Sequence, residues 1–304
     1  MGLSEKSNNS INHETKVNTK DRKAHIKELE NIAHQIRVQL VKIFGRFGSG
    51  HIGGSMSTVE ILSVLYFSEM NYDPGNILWE DRDRFILSKG HGAFTQYAVL
   101  AKKGVLSQDV LNHPYEIDSP MQGHPEYGIC PGVEVSSGAL GQGLSVGVGM
   151  ALGARMKGKS FRVYVVLGDG ELNEGQVWEA TMLASGYKLD NLVAFVDQNR
   201  FSLTDSTDVV LPAGPLDKKF ESFGWHVINI NGHSVKDIYD ALEKARTLKG
   251  KPTVIIANTV KGHGISFLAD RAISHSTSLS RSETETALRE LGCSREEISE
   301  AFDR

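Results

Sequence analysis

GDGELNEGQVWEATMLASGYKLDNLVAFVDQN, residues 168–199, carries the reading on which the fold turns. The apolar run VYVVL (163–167) ends into Gly168-Asp169-Gly170. A helix is expected from about 174 to 187, with Asn173 as N-cap and Gln176 as its reciprocal partner. A polar turn at 187–191 leads to LVAFV (192–196), which ends into Asp197-Gln198-Asn199. Two short apolar runs joined by a helix make a βαβ unit. Such units are right-handed, and their strands are usually neighbours. Asp169 and Asn199 are therefore expected side by side at the carboxyl edge of a sheet, where open α/β sheets bind ligands.

The pattern continues outward from this unit. HVINI (226–230) and TVIIAN (253–258) are short, β-branched and apolar on both faces, and 85–87 adds a shorter strand candidate. Strands of that kind are covered by helices on two sides. Helical stretches at 174–187, 215–224 and 235–249 alternate with them, so the fold class is α/β, with a doubly wound, mainly parallel sheet. Ile26, Leu29, Ile32, Ala33, Ile36, Leu40 and Ile43 give a helix over 24–45, broken by GRFGSGHIGG (45–54). A second helix is expected over 57–70, capped by Ser57. Residues 104–134 read as a long surface excursion with four prolines. Residues 140–156 form a helix whose glycines and alanines suit close burial rather than intrinsic stability. Residues 281–302 read as one helix. The polar segment 1–20 is expected to be a flexible tail, leaving 21–304 as one domain.

Composition narrows the function. The chain has 304 residues, 40% of them hydrophobic, and a net charge of −4. No basic stripe points to nucleic acid, and no apolar run suits a membrane span. Two cysteines far apart, Cys130 and Cys293, fit a reducing cytoplasm better than a disulfide scaffold.

A carboxylate and an amide oxygen held close together suit a hard cation, Mg²⁺ first, with Ca²⁺ or Mn²⁺ as alternatives. The glycines flanking Asp169 let backbone N–H groups approach a phosphate, and the helix that follows turns its positive end toward it. From these residues alone the reading is a metal–diphosphate clamp. The competing reading is a plain connecting turn. Among the eleven histidines, His51, His91 and His124 each adjoin a glycine in a loop. A bent backbone there lets an imidazole point into a cleft.

At this point the chain resembles a known family. SGHIGGS (49–55), RDRFILSKGHG (82–92), QGHPE (122–126), SSGALGQGLSVGVGMALG (136–153) and GDGELNEGQVWEA (168–180) occur here in the order found in transketolases. The resemblance covers about 24–280. It implies the thiamine diphosphate-binding fold, with 21–304 as the diphosphate-binding domain. It implies Mg²⁺ ligation by Asp169, the Asn199 side chain and the Phe201 carbonyl. Gly168 and Gly170 would bring backbone to the diphosphate, and His91 would contact it. Leu140 and Gly138 would hold the thiazolium and pyrimidine rings. His51, His124 and His275 would face the sugar substrate, with His275 also near the cofactor and His263 its competitor for that place. Glu174 and Glu179 would lie at an interface that joins two cofactor sites.

The likeness extends only to the first half of a full-length transketolase. It implies an N-terminal subunit that transfers a two-carbon ketol unit from an anionic ketose to an aldose. Activity would need a C-terminal partner subunit, in an α₂β₂ assembly. The alternatives are a half of another thiamine enzyme, such as a deoxyxylulose phosphate synthase relative, and a non-catalytic assembly subunit.

Overall fold

A computed structural model describes residues 19–302. The chain begins with α1 (Thr19–Phe47) and passes through β1 (Ser49–Gly50) into α2 (Ile52–Met56) and α3 (Val59–Val64), which widens into a π turn at Leu65–Glu69. Then come β2 (Arg84–Leu87), α4 (Ala93–Lys103), α5 (Gln142–Met156), β3 (Val163–Gly168), α6 (Gly175–Gly186) and β4 (Leu192–Gln198). The rest is α7 (Thr207–Val210), α8 (Leu216–Ser222), β5 (His226–Asn231), α9 (Val235–Thr247), β6 (Thr253–Asn258), β7 (Thr277–Ser278), α10 (Arg281–Glu290) and α11 (Arg295–Glu300). Among the described residues, no helix is long and apolar enough to cross a membrane.

The central sheet has five strands in the order β2-β3-β4-β6-β5, every pair parallel. Its side chains alternate between two packed layers. Tyr164, Val166, Val193, Phe195 and Ile255 face a layer holding Leu29 of α1, Val59 of α3, Phe94 of α4 and Ile238 of α9. Val163, Val165, Leu167, Ala194 and Ile256 face one holding Leu144 of α5, Val177 of α6 and Phe220 of α8. Burying each such side chain contributes about 1.5–3 kcal/mol. The doubly wound expectation therefore holds. β5 departs from it: this edge strand is half exposed, whereas the other edge strand, β2, is largely buried. Apart from the sheet, β1 and β7 pair antiparallel, joining Ser49 to Ser278.

Several local expectations fail for tertiary reasons. The helix expected over 57–70 is present over 59–69, its last turn a π turn, but Ser57 does not cap it. Its hydroxyl donates instead to Asp197 Oδ2 at 2.7 Å. Asn173 belongs to a 3₁₀ turn, Gly170–Asn173; α6 has Glu174 at its N-cap with no side-chain cap bond, and Gln176 bonds Gln142 across to α5. The helix expected over 281–302 breaks at Gly292, which takes a left-handed φ of 80°. α1 begins at Thr19, inside the expected tail; residues 1–18 lie outside the described residues.

The small residues of α5 divide by face. A Cβ on Gly147 would meet Val165 Cγ2 at 2.6 Å, whereas one on Gly149 would meet nothing within 4 Å. Gly147→Val is thus expected to destabilise by about 1–3 kcal/mol through overpacking. Gly149→Ala is expected to stabilise by about 0.5–1 kcal/mol. Urea unfolding of the two variants checks both signs.

Candidate functional site

The tips of β3 and β4 carry the metal-type oxygens. Gly168 pairs with Asp197 in the parallel register, so the residues just beyond each strand leave the sheet together. Asp169 is buried, accepting from Gly170 N at 2.9 Å and from Arg200 N at 2.5 Å. Asn199 is buried beside it. Its Nδ2 donates to Asp197 Oδ2 at 2.9 Å, which leaves Oδ1 turned away from that carboxylate. Burial and the Asp197 charge push Asp169 up to about 7. A carboxylate so placed favours a nearby positive charge.

The histidines gather around His51. Its ring centroid lies 6.0 Å from His91, 5.6 Å from His124 and 5.4 Å from His275, and His91 stacks on His275 at 5.0 Å. Three of them come from short connections: His51 follows β1, His91 sits in the 3₁₀ turn Gly90–Gly92 after β2, and His275 precedes β7. His124 comes from the excursion over 104–134. Gly138 turns with φ 125°, and a Cβ there would press within 2.9 Å of His124 Cγ, so only glycine fits. Leu140 is half-buried rather than part of the core. His51 Nδ1 and Ser137 Oγ are buried without a hydrogen-bond partner.

His275, not His263, is the fourth member. His263 stacks on His233 instead, with centroids 3.5 Å apart. The cluster also departs from ordinary imidazole acidity. Burial, then the His124 and Lys261 charges, lowers His51. Burial, then Lys89 and its neighbours, holds His91 far below its usual value. Burial and Lys261 bring His275 down to about 4. Near neutrality these three rings are uncharged, so each offers one N–H and one lone pair.

Sequence reasoning missed two lysines, an aspartate and a glutamate. Lys261 Nζ lies 3.4 Å from Phe201 O, 2.7 Å from Ser202 O and 2.9 Å from His275 Nδ1. An ammonium only donates, so His275 accepts at Nδ1 and carries its proton on Nε2. Burial and Lys89 lower Lys261 to about 8. Lys89, fully buried, pairs with Asp197. Glu171, also buried, accepts from Gly141 N at 2.8 Å, Gly168 N at 3.0 Å and Ser88 Oγ, and so ties the 136–141 loop to the Gly168–Gly170 turn. The available signal for all four was a lone polar letter beside a glycine motif or at a strand end. Glu174 and Glu179 are exposed, on the α6 side that also shows Met182, Leu183 and Tyr187.

The His263 environment predicts a pH dependence. An unfolded histidine takes its proton near pH 6.5; burial, then His233 and Arg37, hold His263 down to about 4. Between those values the unfolded chain binds more protons. Stability is therefore full above about 6.5 and falls as pH drops toward about 4. His263 is partly exposed, so the loss is expected to be about 1–2 kcal/mol. Urea unfolding at about pH 7 and about pH 4.5 should show it, and His263→Gln should shrink it.

Comparison with known proteins agrees with this geometry. The family model for "Transketolase, thiamine diphosphate binding domain" matches residues 29–302. The chain is 40% identical over 264 residues to the 6-deoxy-6-sulfo-D-fructose transketolase subunit SqwG of Clostridium sp. (strain MSTE9), covering 87% of this chain and 96% of that protein. It is 44% identical over 265 residues to an apulose-4-phosphate transketolase subunit from Actinobacillus succinogenes, again 87% and 96%. Among solved structures, the transketolase from Leishmania mexicana superposes with a TM-score of 0.82 at 32% identity, over 90% of this chain but 44% of that one. The chain thus spans nearly all of the two subunit relatives and less than half of the solved enzyme. On the sheet, the motifs and these matches together, the chain belongs to the transketolase family of enzymes, as its thiamine diphosphate-binding domain.

Proposed function

We propose that this chain is the thiamine diphosphate-binding subunit of a two-chain, Mg²⁺-dependent transketolase. With a C-terminal partner subunit it moves a two-carbon ketol unit from an anionic ketose to an aldose. The observation that carries this reading is one arrangement: Asp169, Asn199 and Phe201 O lie at adjacent strand tips, and Lys261 reaches from Phe201 O to the histidine cluster. The donor set fits the metal. It offers a carboxylate, an amide oxygen and a carbonyl, all hard oxygens, and leaves further positions to phosphate oxygens and water.

Asp169, Asn199 and Phe201 O would hold Mg²⁺. His91, the Gly170 N–H and the Lys261 ammonium would meet the diphosphate, with Gly168 keeping the approach clear. Leu140 and Gly138 would support the rings. Bound there, thiamine diphosphate supplies the breaking and making of the carbon–carbon bond. His51, His124 and His275 hold and move protons at the sugar hydroxyls, and His275 does so as an Nε2–H donor. The two subunit relatives are named for a sulfo sugar and a sugar phosphate, which supports an anionic substrate.

Assembly is supported by exposed apolar residues. Leu203, Val209, Val210, Leu211 and Ile273 fringe the carboxyl edge, and Met182, Leu183 and Tyr187 lie beside Glu179 on α6. We assign the first patch to the C-terminal partner. The second, with Glu174 and Glu179, we assign to another copy of this chain, giving α₂β₂. The free cysteines fit a cytoplasmic setting.

The test is to co-purify the chain with a candidate C-terminal transketolase partner, then to assay ketose-to-aldose transfer with thiamine diphosphate and Mg²⁺. Activity is expected only in the mixture. His124→Ala is expected to lower kcat by at least about 100-fold while cofactor binding persists. Equal turnover by the isolated chain would overturn the two-chain reading; no transfer by the mixture would overturn the activity.

A further inference from the structure

His233 and His263 form a second polar cluster, behind the site, that the proposed chemistry does not use. Arg37 of α1 donates through Nη2 to both carboxylate oxygens of Glu60, at 2.7 and 3.0 Å, and this pair is buried. Glu60 Oε2 lies 3.1 Å from His233 Nδ1, and the Val260 N–H donates to His233 Nε2 at 2.8 Å. A backbone N–H cannot accept, so His233 Nε2 bears the lone pair. The ring proton is on Nδ1 and donates to Glu60. His263 covers the His233 face, with rings 13° from parallel, while Arg37 Nε donates to His263 O at 3.3 Å. The Gly262 N–H donates to Gly53 O at 3.1 Å. Each residue flanking Lys261 is thus held by a neighbouring segment, Val260 by His233 and Gly262 by Gly53.

Glu60, His233 and His263 can bring one ligand atom each within metal-binding reach. The geometry opposes an ion there. Arg37 engages both Glu60 oxygens, and both nitrogens of His233 are used. Stacked, nearly parallel rings also point their lone pairs alongside one another rather than at a common centre.

We infer that His233 is a positioning residue that suspends the 260–263 turn from Glu60 and Arg37. By doing so it holds the Lys261 ammonium at Phe201 O, Ser202 O and His275 Nδ1. The kinetic part of the test rests on the function proposed above; the structural part does not.

The experiment uses the full chain with His233→Phe, which keeps a ring to stack on His263 but loses both hydrogen bonds, and His233→Gln, which keeps an acceptor for the Val260 N–H. Brief labelling with acetic anhydride, read by mass spectrometry, compares Lys261 with Lys89. Both are buried, but Lys89 is held by Asp197 and Gly54 O, neither of which belongs to residues 260–263. Lys261 labelling is expected to rise at least about tenfold in His233→Phe with Lys89 unchanged, and to return most of the way in His233→Gln. In the complex with its partner, half-saturation by thiamine diphosphate is expected to rise about tenfold in the Phe variant and to recover in the Gln variant.

Unchanged Lys261 labelling would overturn the inference. So would Lys261 and Lys89 rising together, which marks general loss of stability, or one tight ZnCl₂ site in the wild type that His233→Phe removes. Failure of the wild-type complex to use thiamine diphosphate would sink the proposed function, while the Lys261-to-Lys89 ratio would still decide the role of His233.

Discussion

Replacing Asp197 with alanine is expected to cost the fold about 3–5 kcal/mol. Asp197 is fully buried at the end of β4, where it accepts from Lys89 Nζ, Thr259 Oγ1, Ser57 Oγ at 2.7 Å and Asn199 Nδ2 at 2.9 Å. Burial alone would raise its pKa. The Lys89 charge and these donors outweigh burial and hold it below the usual carboxylate value. Its contribution is therefore present above about pH 4 and is lost as pH falls through the lower folded value. Without Asp197, the buried Lys89 ammonium keeps only Gly54 O at 3.0 Å and Ser57 Oγ at 3.4 Å. An orphaned charge costs more than no charge, so adding Lys89→Met to Asp197→Ala should recover at least about half the loss. Urea unfolding midpoints of the two single variants and the double variant check this. A single-variant cost below about 1 kcal/mol would mean that the pair does not hold this edge together.

Asp169→Ala should act differently: on the proposed function it removes a metal ligand, at a smaller cost to the fold. In the complex with its partner, thiamine diphosphate binding in the presence of Mg²⁺ is expected to weaken at least about 100-fold, or about 2.7 kcal/mol. The isolated chain should lose only about 1–2 kcal/mol: the Gly170 and Arg200 N–H groups lose their acceptor, but burial and Asp197 already push the Asp169 carboxylate up to about 7. Removing a buried charge that lacks a cation relieves that repulsion. Calorimetric titration gives the affinity. Chelator treatment of the wild type should produce the same loss, and chelator should add little to the variant. Additive losses would show that the metal is held elsewhere.

Much of this was legible in the letters. The runs 163–167, 192–196 and 253–258 became central strands because β-branched residues packed on both faces leave a plain signal. That Asp169 and Asn199 leave neighbouring parallel strands followed from the handedness and adjacency of one βαβ unit. Capping was less legible. Ser57 and Asn173 are good cap letters, but Ser57 found a buried carboxylate from β4 and Asn173 was taken into a 3₁₀ turn. Local preference of about 1 kcal/mol yields to such tertiary bonds. Lys89, Asp197, Glu171 and Lys261 stayed hidden because each partner lies on a different element, a relation that no period or spacing encodes. His275 was legible through its distance from the GISF stretch, while His233 showed no motif at all.

The short ribbon joining Ser49 to Ser278 sets an order of events during synthesis. His51 and His275 flank its two strands, so their meeting waits until the segment around Ser278 has left the ribosome. The parallel layers can condense earlier from nearer segments. A nascent chain would then pass through a stage with a packed centre and an unfinished mouth, and the histidine cluster would be completed after the sheet.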